Sequence, residues 1–197
     1  MIHSKKFDYK YMRIAKAVAQ ENTACLSRKL GAIIVDSKHK VKGVSYNGVP
    51  QSLPHADTCE SLENYFWPQL TSDDIESIGL MYDLKEEETI KKKFLEMYTD
   101  RGTCPRKLLG CGTGDRPLLC NCTHAEVNCI TNAACDVSGC VMYCYSPIPC
   151  INCAGTIINA RIAEVHCLDV TYHEQSLWMF EHADIALVTY GVDDLID

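Results

Sequence analysis

The sequence predicts an α/β protein, a layered sheet with helices on both of its faces. Three patterns in the 197 residues carry that expectation. An amphipathic helix precedes a short hairpin near the N-terminus, and helices and strands alternate over the last third of the chain. No internal repeat or low-complexity linker interrupts them.

Phe7, Tyr11, Ile14 and Val18 recur at helical spacing, so the first two dozen residues are expected to form an amphipathic helix. Gly31-Ala32-Ile33-Ile34-Val35-Asp36 reads as a buried strand. Lys38-His39-Lys40 makes a turn into a second strand, Val41 to Tyr46, which closes the hairpin. Asn47-Gly48-Val49-Pro50 breaks the pattern and starts a long loop. Residues 60–103 look like an insertion, best defined by a charged helix in which Glu87 and Glu88 sit four before Lys91 and Lys92. Leu84, Phe94, Leu95 and Tyr98 give that helix one apolar face. A lid or subunit contact is the functional expectation for it; a solvated surface helix is the plainer one, and the one preferred. The glycine-rich stretch Gly110-Cys111-Gly112-Thr113-Gly114 lacks the Lys-Ser/Thr ending of a P-loop. A helix from about His124, a strand over Cys140 to Tyr145 and a helix from Cys150 to about Ala160 follow. Strands near Ala163 to Leu168 and Ile185 to Val188 complete the pattern. The chain is read as one domain, 1–197, with a helical insertion at about 60–103.

A composition of 47% hydrophobic and 23% charged residues is that of a soluble globular protein. No stretch approaches the roughly 18 to 20 apolar residues that span a bilayer, and Met1 to Phe7 lacks the apolar core of a secretory signal. The expected location is the cytoplasm (host cytoplasm for a viral protein), with no membrane partner. The net charge of −7 argues against a polymeric nucleic-acid partner, because phosphate neutralisation needs a basic face. A small ligand fits better. Thirteen cysteines, an odd number without an export signal, point to metal binding or buried thiols rather than a disulfide framework.

Two segments carry the chemistry: Thr123-His124-Ala125-Glu126 and Pro149-Cys150-Ile151-Asn152-Cys153. Cys150 and Cys153, three apart at a helix start, put both sulfurs on one face, where the helix dipole favours thiolates. His124 adds a nitrogen from the start of a neighbouring helix. Three protein ligands leave the fourth tetrahedral position of a zinc ion open, the mark of a catalytic rather than a structural site. Glu126, two residues after the histidine, is the candidate proton carrier. Plainer readings exist for each part: Thr123 and Glu126 fit a capping box, the cysteines fit buried thiols, and His124 fits a hydrogen-bonded core histidine. Their joint occurrence, as H-x-E followed by P-C-x-x-C, is the signature of zinc nucleobase deaminases.

At these residues the chain resembles the cytidine and deoxycytidylate deaminase superfamily, and within it dCMP deaminases of the phage, bacterial and archaeal type. Leu30-Gly31-Ala32-Ile33-Ile34-Val35 looks like their first core strand, and Ser45-Tyr46-Asn47-Gly48-Val49-Pro50 like their G-Y-N-G-x-P loop. Cys104-Pro105-Arg106, Thr113-Gly114 and Leu119-Cys120 are similar to a linker in one microbial branch, and His124-Ala125-Glu126-Val127-Asn128 matches the H-A-E-x-N form. The resemblance implies a three-layer α/β/α cytidine-deaminase-like fold with a central mixed five-stranded sheet. It implies hydrolysis of dCMP to dUMP with release of ammonia, supplying thymidylate synthesis: activated water attacks C4, and Glu126 carries the proton to N3 and then to the departing amine. Asn47 is then expected to hold the sugar or phosphate, Asn128 to support the same site and Tyr172 to close over the ligand. The plainer readings are a turn role for Asn47 and an ordinary half-buried aromatic for Tyr172. A homo-oligomer, with a hexamer favoured, and regulation by dCTP and dTTP with Mg2+ are also implied. The chain departs from the pattern at His55-Ala56, where a cysteine is usual and comes instead at Cys59, and at Ile148 before Pro149.

A phosphate needs a cation, and Arg28, Lys29, Arg106 and Lys107 are the candidates, with Arg106 named first. Spare cysteines suggest a second, structural zinc, for which Cys25, Cys59, Cys104 and Cys120 are the first-named ligands. Cys129, Cys135, Cys140, Cys144 and Cys167 are assigned to buried packing. Two other functions stand beside the leading one. One is the same chemistry on a 5-modified dCMP, a free nucleoside or an RNA base; the other is an inactive zinc-stabilised binding module.

Overall fold

The computed structural model describes residues 2–22, 25–53, 62–101, 104–112, 115–116, 119–170 and 174–195. These fall into two compact units, Met1–Thr23 with Lys29–Gly48 and Thr123–Asp197, and Ala24–Arg28 with Val49–Cys122.

In the first unit five strands lie in the order β2-β1-β3-β4-β5. They are β1 (Gly31–Val35), β2 (Val41–Tyr46), β3 (Val141–Tyr145), β4 (Glu164–Leu168) and β5 (Ala186–Tyr190). β1 pairs antiparallel with both β2 and β3, whereas β3, β4 and β5 run parallel, so the sheet is mixed. Alternation along the strands supplies two apolar faces. Ile33, Val35, Val141 and Tyr143 pack against Tyr11, Met12 and Ala15 of α1 (Lys5–Asn22). Ala32, Ile34, Met142, Cys144, Val165 and Cys167 pack on the other face against three further helices. These are α5 (Ala125–Asn132), α6 (Ile151–Asn159) and α7 (Glu174–His182). The three-layer expectation is met.

Gly31 sets the closeness of the first layer, because a Cβ there would lie 2.3 Å from the Ala15 carbonyl oxygen. A buried polar network also ties this layer to the sheet. His3 Nδ1 and Asp8 Oδ1 each lie 2.7 Å from the Tyr143 hydroxyl, and His166 bridges Glu164 and Tyr190.

The second unit has its own core of Phe66, Ile78, Ile90 and Phe94. It holds α2 (Ser72–Tyr82), α3 (Glu87–Arg101) and the short α4 (Pro105–Leu108). The charged helix is therefore not the solvated surface helix preferred from the sequence: Ile90 and Phe94 bury its apolar side, and Leu84 and Leu95 pack beside them. Helix α2 was not anticipated, although its capping box was legible: Thr71 accepts from the Asp74 N–H, and the Asp74 carboxylate accepts from the Thr71 N–H. Helix α7 was missed as well. Cys135 corrects another expectation. It is exposed, while Cys129, Cys140, Cys144 and Cys167 are buried.

Candidate metal centre and active site

The N-termini of α5 and α6 bring the two sequence segments together. His124 is the N-cap residue of α5 and Cys150 that of α6, each with extended backbone. No side chain caps α5, which removes the capping-box alternative for Thr123 and Glu126. The N–H groups at both helix starts carry positive potential, and the Cys153 N–H bonds the Cys150 sulfur.

His124 Nδ1 lies 3.3 Å from Cys153 Sγ and 3.5 Å from Cys150 Sγ. All three ligand atoms fall within 4.8 Å of one another. Tetrahedral zinc, with bonds of about 2.3 Å to sulfur and about 2.0 Å to nitrogen, separates such ligands by roughly 3.5 Å. The trio fits that ion in both chemistry and spacing. The Cys153 thiol donates to Cys150 and, with His124 beside it, holds the Cys150 thiol down to about 3; the same hydrogen bond pushes Cys153 up. Of the pair, Cys150 is the ready thiolate.

Glu126 is buried, and burial raises its carboxyl above the ordinary carboxylate range. Its Oε1 accepts a 3.0 Å hydrogen bond from Ser146 Oγ, and its Oε2 lies 3.8 Å from Cys153 Sγ. A carboxyl of raised proton affinity thus stands at the edge of the ligand trio. Ser146 was not singled out from the sequence. Its position three residues before Pro149, at the end of a strand, was the available signal.

The other expected site residues are placed as follows. Asn47 is buried and pairs with Leu30 twice: its Oδ1 accepts from the Leu30 N–H at 2.9 Å and its own N–H donates to the Leu30 carbonyl at 3.1 Å. Asn128 Nδ2 donates to the Tyr46 carbonyl at 3.0 Å, tying α5 to the end of β2. Lys29 Nζ donates to the Gln20 carbonyl. Tyr172 and Cys59 lie outside the described residues.

Arg28, Arg106 and Lys107 belong to the second unit. There Arg106 donates to the carbonyls of Gly112 and Asp115, and Lys107 donates to the Ser27 carbonyl at 3.4 Å. In the same unit Cys122 hydrogen-bonds both Cys120 and Cys25, and the Cys104 sulfur accepts the N–H groups of Arg106 and Lys107 close to Cys25 and Cys120. Cys122 thus bonds two first-named candidates of the second metal site, but among the described residues only His124, Cys150 and Cys153 bring three ligand atoms within 4.8 Å of one another. The Cys122 hydrogen bond brings Cys120 down to about 6.

Residues 5–169 match the family described as the cytidine and deoxycytidylate deaminase zinc-binding region. The chain belongs to that family of deaminases. It is 30% identical over 165 residues to the deoxycytidylate deaminases of Pongo abelii and Homo sapiens, a match covering 83% of this chain and 65% of theirs. The chain thus spans somewhat less than two thirds of those relatives' length. The mouse deoxycytidylate deaminase is 27% identical over 175 residues. Among solved structures, the dCMP deaminase of cyanophage S-TIM5 in complex with dCMP and dUMP superposes with a TM-score of 0.58 at 14% identity. That superposition covers 95% of this chain and 99% of the phage chain. RibD of Acinetobacter baumannii gives a TM-score of 0.52 at 14% identity over 96% of this chain and 36% of that one. These likenesses establish a cytidine-deaminase-like fold.

Proposed function

We propose that this chain is a zinc-dependent dCMP deaminase: dCMP and water give dUMP and ammonia. The observation that carries the proposal is the His124–Cys150–Cys153 trio at zinc-ligand spacing beside a buried carboxylate. Zinc held by His124 Nδ1 and the two sulfurs would supply the Lewis acidity that makes water acidic at neutral pH. Glu126 takes one proton from the attacking water and gives it to ring N3, then takes the second from the hydroxyl now on C4 and gives it to the amine, which leaves as ammonia as the C4 carbonyl forms. Kinship to deoxycytidylate deaminases favours the nucleotide over a free nucleoside or RNA base, and an intact Glu126 argues against an inactive module. Asn47, Asn128, Tyr172 and Arg106 are assigned to the nucleotide's surroundings by resemblance.

Ammonia release from dCMP, CMP, deoxycytidine and cytidine, with Glu126→Ala as control and dCTP present and absent, tests the proposal. Turnover of dCMP alone, lost in the variant, is expected. Turnover of a nucleoside in preference to dCMP would move the substrate, and turnover surviving in Glu126→Ala would remove the mechanism.

A second, structural zinc held by Cys25, Cys104 and Cys120, with Cys122 as the fourth sulfur in place of Cys59, belongs to the same proposal. The hydrogen bonds of Cys122 to Cys120 and Cys25 favour it. Metal analysis is expected to give two zinc ions per chain, falling to one in Cys122→Ser; one per chain in both would sink it. Family kinship further supports a single deaminase domain, 1–197 with its helical insertion, working in the cytoplasm and supplying dUMP for thymidylate synthesis. It also supports a hexamer activated by dCTP with Mg2+ and inhibited by dTTP. Among the described residues, no helix is long and apolar enough to cross a membrane.

A further inference from the structure

Glu126 has two carboxyl oxygens in different surroundings. Oε2 looks toward the metal ligands, 3.8 Å from Cys153 Sγ, whereas Oε1 meets the Ser146 hydroxyl at 3.0 Å. Ser146 is 1% exposed and Glu126 3%, so water does not compete freely for this contact. The hydroxyl is also firmly placed. Ser146 follows β3 directly, its carbonyl accepts the Leu168 N–H at 2.9 Å, and Pro147 comes next with a restricted backbone.

A serine hydroxyl carries one hydrogen and can both donate and accept. Here it has two acceptors at the same distance: Glu126 Oε1 at 3.0 Å and the Pro147 carbonyl oxygen at 3.0 Å. The hydroxyl thus reaches Glu126 Oε1 while lying against the carbonyl of its own neighbour in the chain, which limits where it can point.

We propose that Ser146 is the positioning residue of Glu126: its buried hydroxyl, fixed at the end of β3, holds Oε1 so that Oε2 faces the metal ligands. A hydrophobic neighbour at this place would leave a buried carboxyl oxygen without that partner. The proposal deepens the deaminase reading and rests on it, since it assumes that Glu126 carries protons during turnover.

Three variants test it. Ser146→Ala removes the hydroxyl, Ser146→Cys keeps the size with a weak donor, and Ser146→Thr keeps the hydroxyl. Expected for Ala and Cys is a fall in kcat of about 10- to 100-fold, the scale on which a misplaced acid-base group acts. KM for dCMP, dUMP affinity by calorimetry and zinc content should stay within twofold, and Thr should keep kcat within about threefold of wild type. Unchanged kcat in Ser146→Ala overturns the proposal. So does a Thr variant as slow as Ala, or a loss of kcat that tracks loss of zinc. Crystal structures of wild type and Ser146→Ala give a readout independent of activity: Glu126 Oε1 should leave its place in the variant, and an unmoved carboxylate overturns the proposal. A wild type inert toward dCMP would strike the deaminase reading instead, while the crystallographic comparison would still decide whether Ser146 orients Glu126.

Discussion

The direction of each contact at the ligand trio decides what a single atom can do there. The neighbours of Cys150 hold its thiol well below the ordinary value, and His124 presents Nδ1 to both sulfurs, so the three ligand atoms gather at one place. Cys150→Ser should therefore abolish zinc retention, measured as metal content after dialysis. Glu126→Gln keeps the size of the side chain and removes its proton affinity; kcat should fall by roughly two to four orders of magnitude while zinc content is unchanged. Equal loss of metal in both variants would show that Glu126 serves the fold of the site instead. The ligands and Glu126 were legible in the sequence because H-x-E and P-C-x-x-C are local patterns, each confined to one helix start. Ser146 was not, since its link to Glu126 joins residues 20 apart that meet only across a packed layer.

Helices and strands are positioned by a few close approaches. Helix α1 lies on the sheet at Gly31, where an added methyl would meet the Ala15 carbonyl at 2.3 Å and the Ala19 nitrogen at 2.9 Å. Gly31→Ala should destabilise the protein by about 1–3 kcal/mol, the usual cost of overpacking, read as a lower urea midpoint with an unchanged slope. In the second unit Arg116 grips Asp74 through two 2.6 Å contacts and holds its carboxyl down to about 2. The bonded form is the carboxylate, so its contribution is present above pH 3.8 and is lost as pH falls toward 2. Asp74→Asn should thus cost about 1 kcal/mol at pH 7, partial exposure screening the pair, and nothing below pH 2. A variant equally weakened at both ends would exclude the ion pair as the cause.

At the scale of the whole molecule, the layer between α1 and the sheet combines apolar packing with buried charge. Burial drives the His166 imidazole below its ordinary value of 6.5, so it is neutral between Glu164 and Tyr190 in the folded chain. The unfolded chain binds a proton more readily, and stability falls as pH drops below about 6.5. Wild type should lose more unfolding free energy between pH 7.5 and 5.5 than His166→Gln does. An identical loss in the two would assign the acid sensitivity to other groups. The relatives that the chain matches are longer than it is, so these stability predictions concern this chain and not theirs.

By itself the sequence determined the fold class, the hairpin, the alternation around β3 and β4, and the ligand trio with its carboxylate. Each is set by periodicity or by residues close in the chain. Only the tertiary structure decided that residues 62–101 bury a core of their own, that Cys122 hydrogen-bonds both Cys120 and Cys25, and that the Ser146 hydroxyl meets Glu126. The physical reason is common to all three. Burial and hydrogen-bond partnership are properties of side chains brought together across the fold, and a spacing pattern along one chain carries no record of them.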